Sequence, residues 1–212
     1  MKQQSFTILI GSFARGEGDS DSDVDILRID HCRPVGRPSQ VLENVPISYI
    51  DYDYSTFMEL HNQGSLFLYH SFAEGKLIDG DINSWAKLKN DFKVTYNHRD
   101  SINEYYEVLK FIDSFPGFEH AFMPYLSNIF KALKNIGIFK LAESGCFIFD
   151  KSTALVRGCG IGLSHAKILI SCNNCFERSR TPCLSEIRRY QEFAKKWKLS
   201  NKQFLRGIIH DQ

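Results

Sequence analysis

The sequence predicts an α+β fold in two parts, a small mixed-sheet core over residues 1–83 and an α-helical bundle over 84–212. Three observations carry that expectation. Short apolar runs separated by Gly, Pro and Asp turns crowd the first third of the chain, as strands do. From about Ser84 onward, apolar residues recur three and four apart, the spacing of helices packed on a core. The totals, 212 residues with 43% hydrophobic and 24% charged, suit one large or two small globular domains and show no internal repeat or low-complexity segment.

The elements follow in order. Phe6-Thr7-Ile8-Leu9-Ile10 reads as a buried strand, ended by Gly11-Ser12, and a helix is expected next. Asp23-Val24-Asp25-Ile26-Leu27 reads as a second strand. Alternation sends Asp23 and Asp25 to one face and turns Val24 and Ile26 to the core on the other. Asp30 to Ser39 is a loop by its Pro and Gly content. Val45 to Tyr52 is a third strand, and Pro46 suggests that it starts at a sheet edge. Asp53 is an N-cap for a helical stretch carrying Phe57, Leu60, Leu66, Leu68 and Phe72, interrupted near Gly64. Gly75 to Gly80 closes the core with a short strand or turn. In the bundle, helices are expected around Trp85-Leu88-Phe92, Ile102 to Ile112, Glu119 to Glu143, Ser152 to Val156, Leu163 to Arg178 and Pro182 to Trp197, then a short separate piece.

Charge is uneven beneath a net +1. Residues 17–30 hold six acids (Glu17, Asp19, Asp21, Asp23, Asp25, Asp30) against Arg28 alone. The last 35 residues hold nine bases (Arg178, Arg180, Arg188, Arg189, Lys195, Lys196, Lys198, Lys202, Arg206) against three acids. An acidic start and a basic end suit an anionic ligand that brings its own cation. No run of 18 apolar residues predicts a membrane span, and no signal peptide is legible, so a cytoplasmic protein with reduced thiols is expected, without a membrane partner.

The acidic stretch carries the chemistry. Two carboxylates side by side on a rigid strand repel each other, and a divalent cation between them relieves this; Mg²⁺ prefers such oxygens. Gly11 lets the backbone approach a phosphate closely. Ser12 offers a hydroxyl, and Arg15 a guanidinium for a terminal phosphate. An EF-hand loop has similarly alternating acids, but its glycine and terminal Glu are missing at the required offsets. Cys172, Cys175 and Cys183 with His165 are the residues from which a zinc site would be built, although three-apart cysteines in a helical pattern are ordinarily packing residues.

Gly11-Ser12, Arg15 and Ser22-Asp23-Val24-Asp25-Ile26, in this order after a strand, resemble the signature of the DNA polymerase β-type nucleotidyltransferases, particularly the minimal and aminoglycoside nucleotidyltransferases. The resemblance spans Ile10 to Leu27. It implies a nucleotidyltransferase core and Mg²⁺-dependent transfer of a nucleoside monophosphate, AMP from ATP, to a hydroxyl of a protein, a small molecule or RNA, with release of pyrophosphate. It implies that Gly11, Ser12 and Arg15 hold the nucleotide while Asp23 and Asp25 hold metal. In the family a third carboxylate comes from the neighbouring strand. Asp51 is the candidate for that catalytic and metal-binding role and Asp53 the alternative, although the family places its acid nearer mid-strand, where Ile47, Ser48 and Tyr49 stand here. Without a third acid, the same fold would serve as a nucleotide-sensing or partner-binding module. A protein partner or a second copy of the chain is compatible with either reading.

Overall fold

The computed structural model describes residues 4–18, 22–30, 45–114 and 120–209, with 199–209 as backbone alone. Its architecture is the expected α+β one. The first unit, Met1–Thr95, contains β1 (Phe6–Ile10), α1 (Gly11–Arg15), β2 (Val24–Ile29), β3 (Ile47–Tyr52), α2 (Tyr54–Asn62), α3 (Leu66–Glu74), β4 (Lys76–Asp79) and α4 (Ile82–Asp91). The second, Tyr96–Gln212, contains α5 (Arg99–Ser114), α6 (Phe122–Glu143), α7 (Lys151–Thr153), a π-helical turn (Ala154–Gly158), α8 (Leu163–Glu177) and α9 (Leu184–Ile209).

The sheet is mixed, with strand order β3-β2-β1-β4. β1 runs antiparallel to β2 and β4, whereas β2 and β3 are parallel. β3 lies at an edge, where the missing N–H of Pro46 does no harm, and the Pro46 carbonyl accepts from the Val24 N–H at 2.9 Å. Phe6, Ile8, Ile10, Leu27 and Ile29 share one face and form a core with Phe57 of α2, Leu68 and Phe72 of α3 and Trp85 of α4. Alternation places Asp25 on this same face, in line with Leu27 and Ile29. The alternation predicts the core on the Val24 and Ile26 face. Those two residues are buried, but the helices cover the face of Asp25, and Asp23 lies just before the strand. β2 is flanked by strands on both sides and is apolar on both faces, so alternation gave parity without telling which face the helices take.

Trp85 also moves the boundary of the first unit. Its ring lies 5.3 Å from Phe6 and 4.7 Å from Phe72, so α4 belongs with the sheet and the unit ends at Thr95 rather than residue 83. Asp53 caps α2 as expected, accepting from the Thr56 N–H at 2.7 Å. Gly64, at φ +68°, divides α2 from α3.

In the second unit, α6 forms the spine. Leu126, Ile129, Leu133 and Ile136 are fully buried among residues of α5, α8 and α9. A side chain at Gly137 would collide with the Ala154 carbonyl, so this glycine lets the π-helical turn lie directly on α6. The expected break after Trp197 is absent: α9 continues as one helix to Ile209. Among the described residues, no helix is long and apolar enough to cross a membrane. Most of the loop expected at Asp30–Ser39, together with Asp19 and Asp21, lies outside the described residues.

Candidate functional site

The turn from β1 into α1 builds the site. Gly11 has φ +74°, a conformation that side-chain-bearing residues rarely adopt. A Cβ there would stand 2.6 Å from Asp25 Oδ2. The Asp25 carboxylate therefore lies against the bare backbone of the turn, and both the conformation and the space demand glycine. The antiparallel register explains the approach, because Ile10, the last residue of β1, pairs with Asp25 near the start of β2. Asp23 is exposed just before β2, and Asp25 is half-buried. Ser12, in the first turn of α1, is half-buried. The structure thus brings Gly11 and Asp25 into contact at one end of the sheet, with Ser12 and Asp23 one and two residues away along the chain.

Among the described residues, no group of three or more His, Cys, Asp or Glu side chains is placed to hold a metal ion. A pair of carboxylates still suits Mg²⁺, which is commonly bound by one or two carboxylates and completed by phosphate oxygens and water. Asp23 and Asp25 are the residues that would hold it. The donor set is hard oxygen throughout, and the absence of a side chain at Gly11 leaves room for the Asp25 carboxylate against the turn.

Asp51 is not part of this group. In the parallel β2–β3 register Asp25 stands opposite Ser48, and Asp51 opposite Arg28. Arg28 is three residues from Asp25, an odd step, so Arg28 and Asp51 project from the other face of the sheet. There the guanidinium donates twice to Asp51, Nε to Oδ1 and Nη2 to Oδ2, both at 2.6 Å, and lies 4.2 Å over the Tyr49 ring. Asp53, the alternative, is committed to capping α2. Hydrogen bonds from the Ser55 hydroxyl and the Thr56 backbone N–H hold its carboxyl below the usual range. The residue beside Asp25 on the neighbouring strand is Ser48, which is exposed. Replacing Asp51 with Ala is therefore expected to leave nucleotide affinity unchanged and to cost at most ~1 kcal/mol of stability, because its side chain is 59% exposed. Thermal denaturation and a nucleotide titration of the same variant check both halves.

Arg15 ends α1, but its guanidinium is already engaged. Nε contacts Glu17 Oε2 at 2.6 Å, and Nη1 contacts Glu74 Oε2, on α3, at 2.9 Å. His70 Nε2 lies 2.9 Å from the same Glu74 oxygen. Burial opposes the charge on Arg15, but the hydrogen bonds it donates to Glu17 and Glu74 outweigh that and raise the pKa, so this group stays cationic. Sequence reasoning singled out His70 as a residue able to line the cleft but missed Glu74. The i,i+4 spacing of Glu74 from His70 is the signal it carried, but only the fold brings it to Arg15.

The cysteines form no metal site among the described residues. Cys172 and Cys175 are buried in the bundle core, and burial pushes the Cys172 thiol up to about 12. Cys183 is exposed beside Ser185, and the His165 ring packs 5.2 Å from Phe193.

No protein-family model matches this chain, and a search of curated proteins returns no match.

Proposed function

We propose that the chain binds a nucleoside triphosphate with Mg²⁺ and transfers its nucleoside monophosphate to an acceptor hydroxyl, as a member of the DNA polymerase β-type nucleotidyltransferase superfamily acting in the cytoplasm. The observation that carries this reading is the contact of the Asp25 carboxylate with the left-handed turn at Gly11. It joins a phosphate-approachable backbone to a metal-binding acid at one end of one sheet. Gly11 lets phosphate oxygens come close to the main chain, and the Ser12 hydroxyl donates to one of them. Arg15 exchanges a carboxylate for the terminal phosphate. Asp23 and Asp25 would hold the cation, which would supply neutralisation of the charge that develops on the phosphoryl oxygens. The acceptor oxygen forms its bond to the α-phosphorus as the bond to the bridging oxygen breaks. Pyrophosphate leaves, and the hydroxyl proton passes to solvent.

The register of β3 favours a second reading. With Ser48 beside Asp25 and Asp51 on the far face, no acid of β3 stands ready to take the acceptor proton. A fold of this kind would bind nucleotide and respond to it with little or no turnover. Incubation with ATP, Mg²⁺ and fractionated lysate, followed by pyrophosphate detection and mass spectrometry, separates the two. Acceptors heavier by one nucleoside monophosphate, with matching pyrophosphate, support transfer. Nucleotide binding without pyrophosphate leaves the second reading.

The engagement of Arg15 predicts a gain-of-affinity variant. Glu74→Gln removes the charge that competes with the triphosphate for Arg15, and affinity for Mg-ATP is expected to rise about 3–10-fold, as charge-assisted hydrogen bonds of ordinary strength imply. Arg15→Ala is expected to lower it by at least as much. Isothermal titration of both variants measures this, and unchanged affinity in both would remove Arg15 from the phosphate grip.

A further inference from the structure

The strongest charge feature outside the site is α9. Over Leu184–Ile209 it carries seven bases (Arg188, Arg189, Lys195, Lys196, Lys198, Lys202, Arg206) and two acids (Glu186, Glu192), a net +5. The whole chain is only +1, so the remainder, with 19 bases and 23 acids, is net −4. The helix therefore holds the excess positive charge of a molecule that is otherwise mildly acidic.

The bases have a definite position. Tyr190, Phe193, Ala194 and Trp197 form one stripe of α9 and are buried in the bundle core. Arg188, Arg189, Lys195 and Lys196 are exposed, and so is Glu192, which stands between the Arg188/Lys195 and Arg189/Lys196 pairs at about 100° per residue. Arg188 and Lys195, like Arg189 and Lys196, are seven residues apart, so each pair shares a face, separated by about 10.5 Å along the axis. At about 100° per residue, Arg188 and Lys195 lie opposite the buried stripe.

We propose that the exposed basic face of α9 is a docking surface for the phosphate backbone of double-stranded DNA. This inference does not depend on the nucleotide site. Charge complementarity to a polyanion comes first: duplex DNA carries one negative charge per about 1.7 Å of its axis, and a face of four exposed bases around the single acid Glu192, net +3, displaces its counterions. A membrane is disfavoured, because an interfacial helix needs a free apolar face and, among the described side chains of α9, the apolar stripe Tyr190, Phe193, Ala194 and Trp197 is used in the core. Single-stranded nucleic acid is disfavoured as well. Such sites combine bases with stacking aromatics, and the described aromatics of α9, Tyr190, Phe193 and Trp197, are buried. A helix-shaped ridge also fits the wide major groove of B-form DNA, whereas the A-form groove of RNA is too narrow.

Fluorescence anisotropy of a labelled mixed-sequence DNA duplex with the full chain tests this. Binding is expected to weaken steeply with salt. In the triple variant Arg188→Ala/Arg189→Ala/Lys195→Ala, the slope of log affinity against log salt should shrink by about 2.7, close to 0.9 per phosphate contact, and affinity should fall at least ~10-fold. All three positions are exposed, so the variant should melt with the parent. The control Lys87→Ala/Lys89→Ala, exposed on α4, should bind as the parent does. No duplex binding, binding indifferent to the triple variant, or equal binding to RNA duplex, single-stranded homopolymer or anionic vesicles would each overturn the proposal.

Discussion

Gly11→Ala is expected to lower stability by ~1–3 kcal/mol and to reduce Mg-ATP affinity by at least ~10-fold. Two effects converge on that one methyl group. The residue sits at φ +74°, where any side chain strains the backbone by that order. The new Cβ would stand 2.6 Å from Asp25 Oδ2, so the carboxylate has to swing away from the turn. The strain and the collision can be separated. Shortening the acid in Gly11→Ala/Asp25→Ser removes the collision and should recover part of the melting temperature, while nucleotide affinity stays low because the metal-binding carboxylate is gone. Recovery of both would mean that the carboxylate is structural. Denaturation and titration of the single and double variants give the coupling directly.

Ser48→Asp is expected to have the largest effect on turnover. In a parallel pair, Ser48 and Asp25 face the same way on strands about 4.8 Å apart, so an acid at 48 would stand beside the existing pair. It would supply the proton acceptor that no residue of β3 offers beside Asp25, and general-base assistance is worth ~10²-fold or more. Pyrophosphate release in the presence of an acceptor should rise by that order. Ser48 is exposed, so the substitution should be tolerated. Because three carboxylates repel, the variant should also depend more steeply on Mg²⁺ concentration. Turnover unchanged in a folded, nucleotide-binding Ser48→Asp protein would show that the acceptor is not presented at this end of the sheet.

Much of this was legible in the sequence for simple physical reasons. The strand through Ile10, the glycine turn and the alternation along β2 from Val24 are local features, and local sterics decide them; the strand expected to include Asp23 begins one residue later. The α2 cap at Asp53 was legible for the same reason, since an N-cap bonds a backbone group only three residues away. What was not legible is whatever depends on register between strands. Asp51 looked like a third acid because it ends the neighbouring strand. One odd step between Asp25 and Arg28 puts it on the opposite face, paired to a guanidinium. Parity within β2 was right, but which face the helices cover was not, because both faces of that strand are apolar. The engagement of Arg15 by Glu74 and the packing of Trp85 on Phe6 likewise arise between elements far apart in sequence. The run of α9 past Trp197 shows the opposite case, where no glycine or proline intervened before Gly207 and the expected break had no residue to cause it.

The most direct measurement is isothermal titration of a non-hydrolysable ATP analogue into the full chain, with Mg²⁺ and with a chelator, repeated on Asp23→Asn/Asp25→Asn. Both substitutions keep the shape of the side chains and remove their charge, so the fold should persist. One-site binding that requires Mg²⁺ and is weakened at least ~100-fold in the double variant is expected, through loss of both charges proposed to hold the metal. Binding of equal strength without Mg²⁺, binding that survives the double substitution, or no binding by the unsubstituted protein would contradict that expectation.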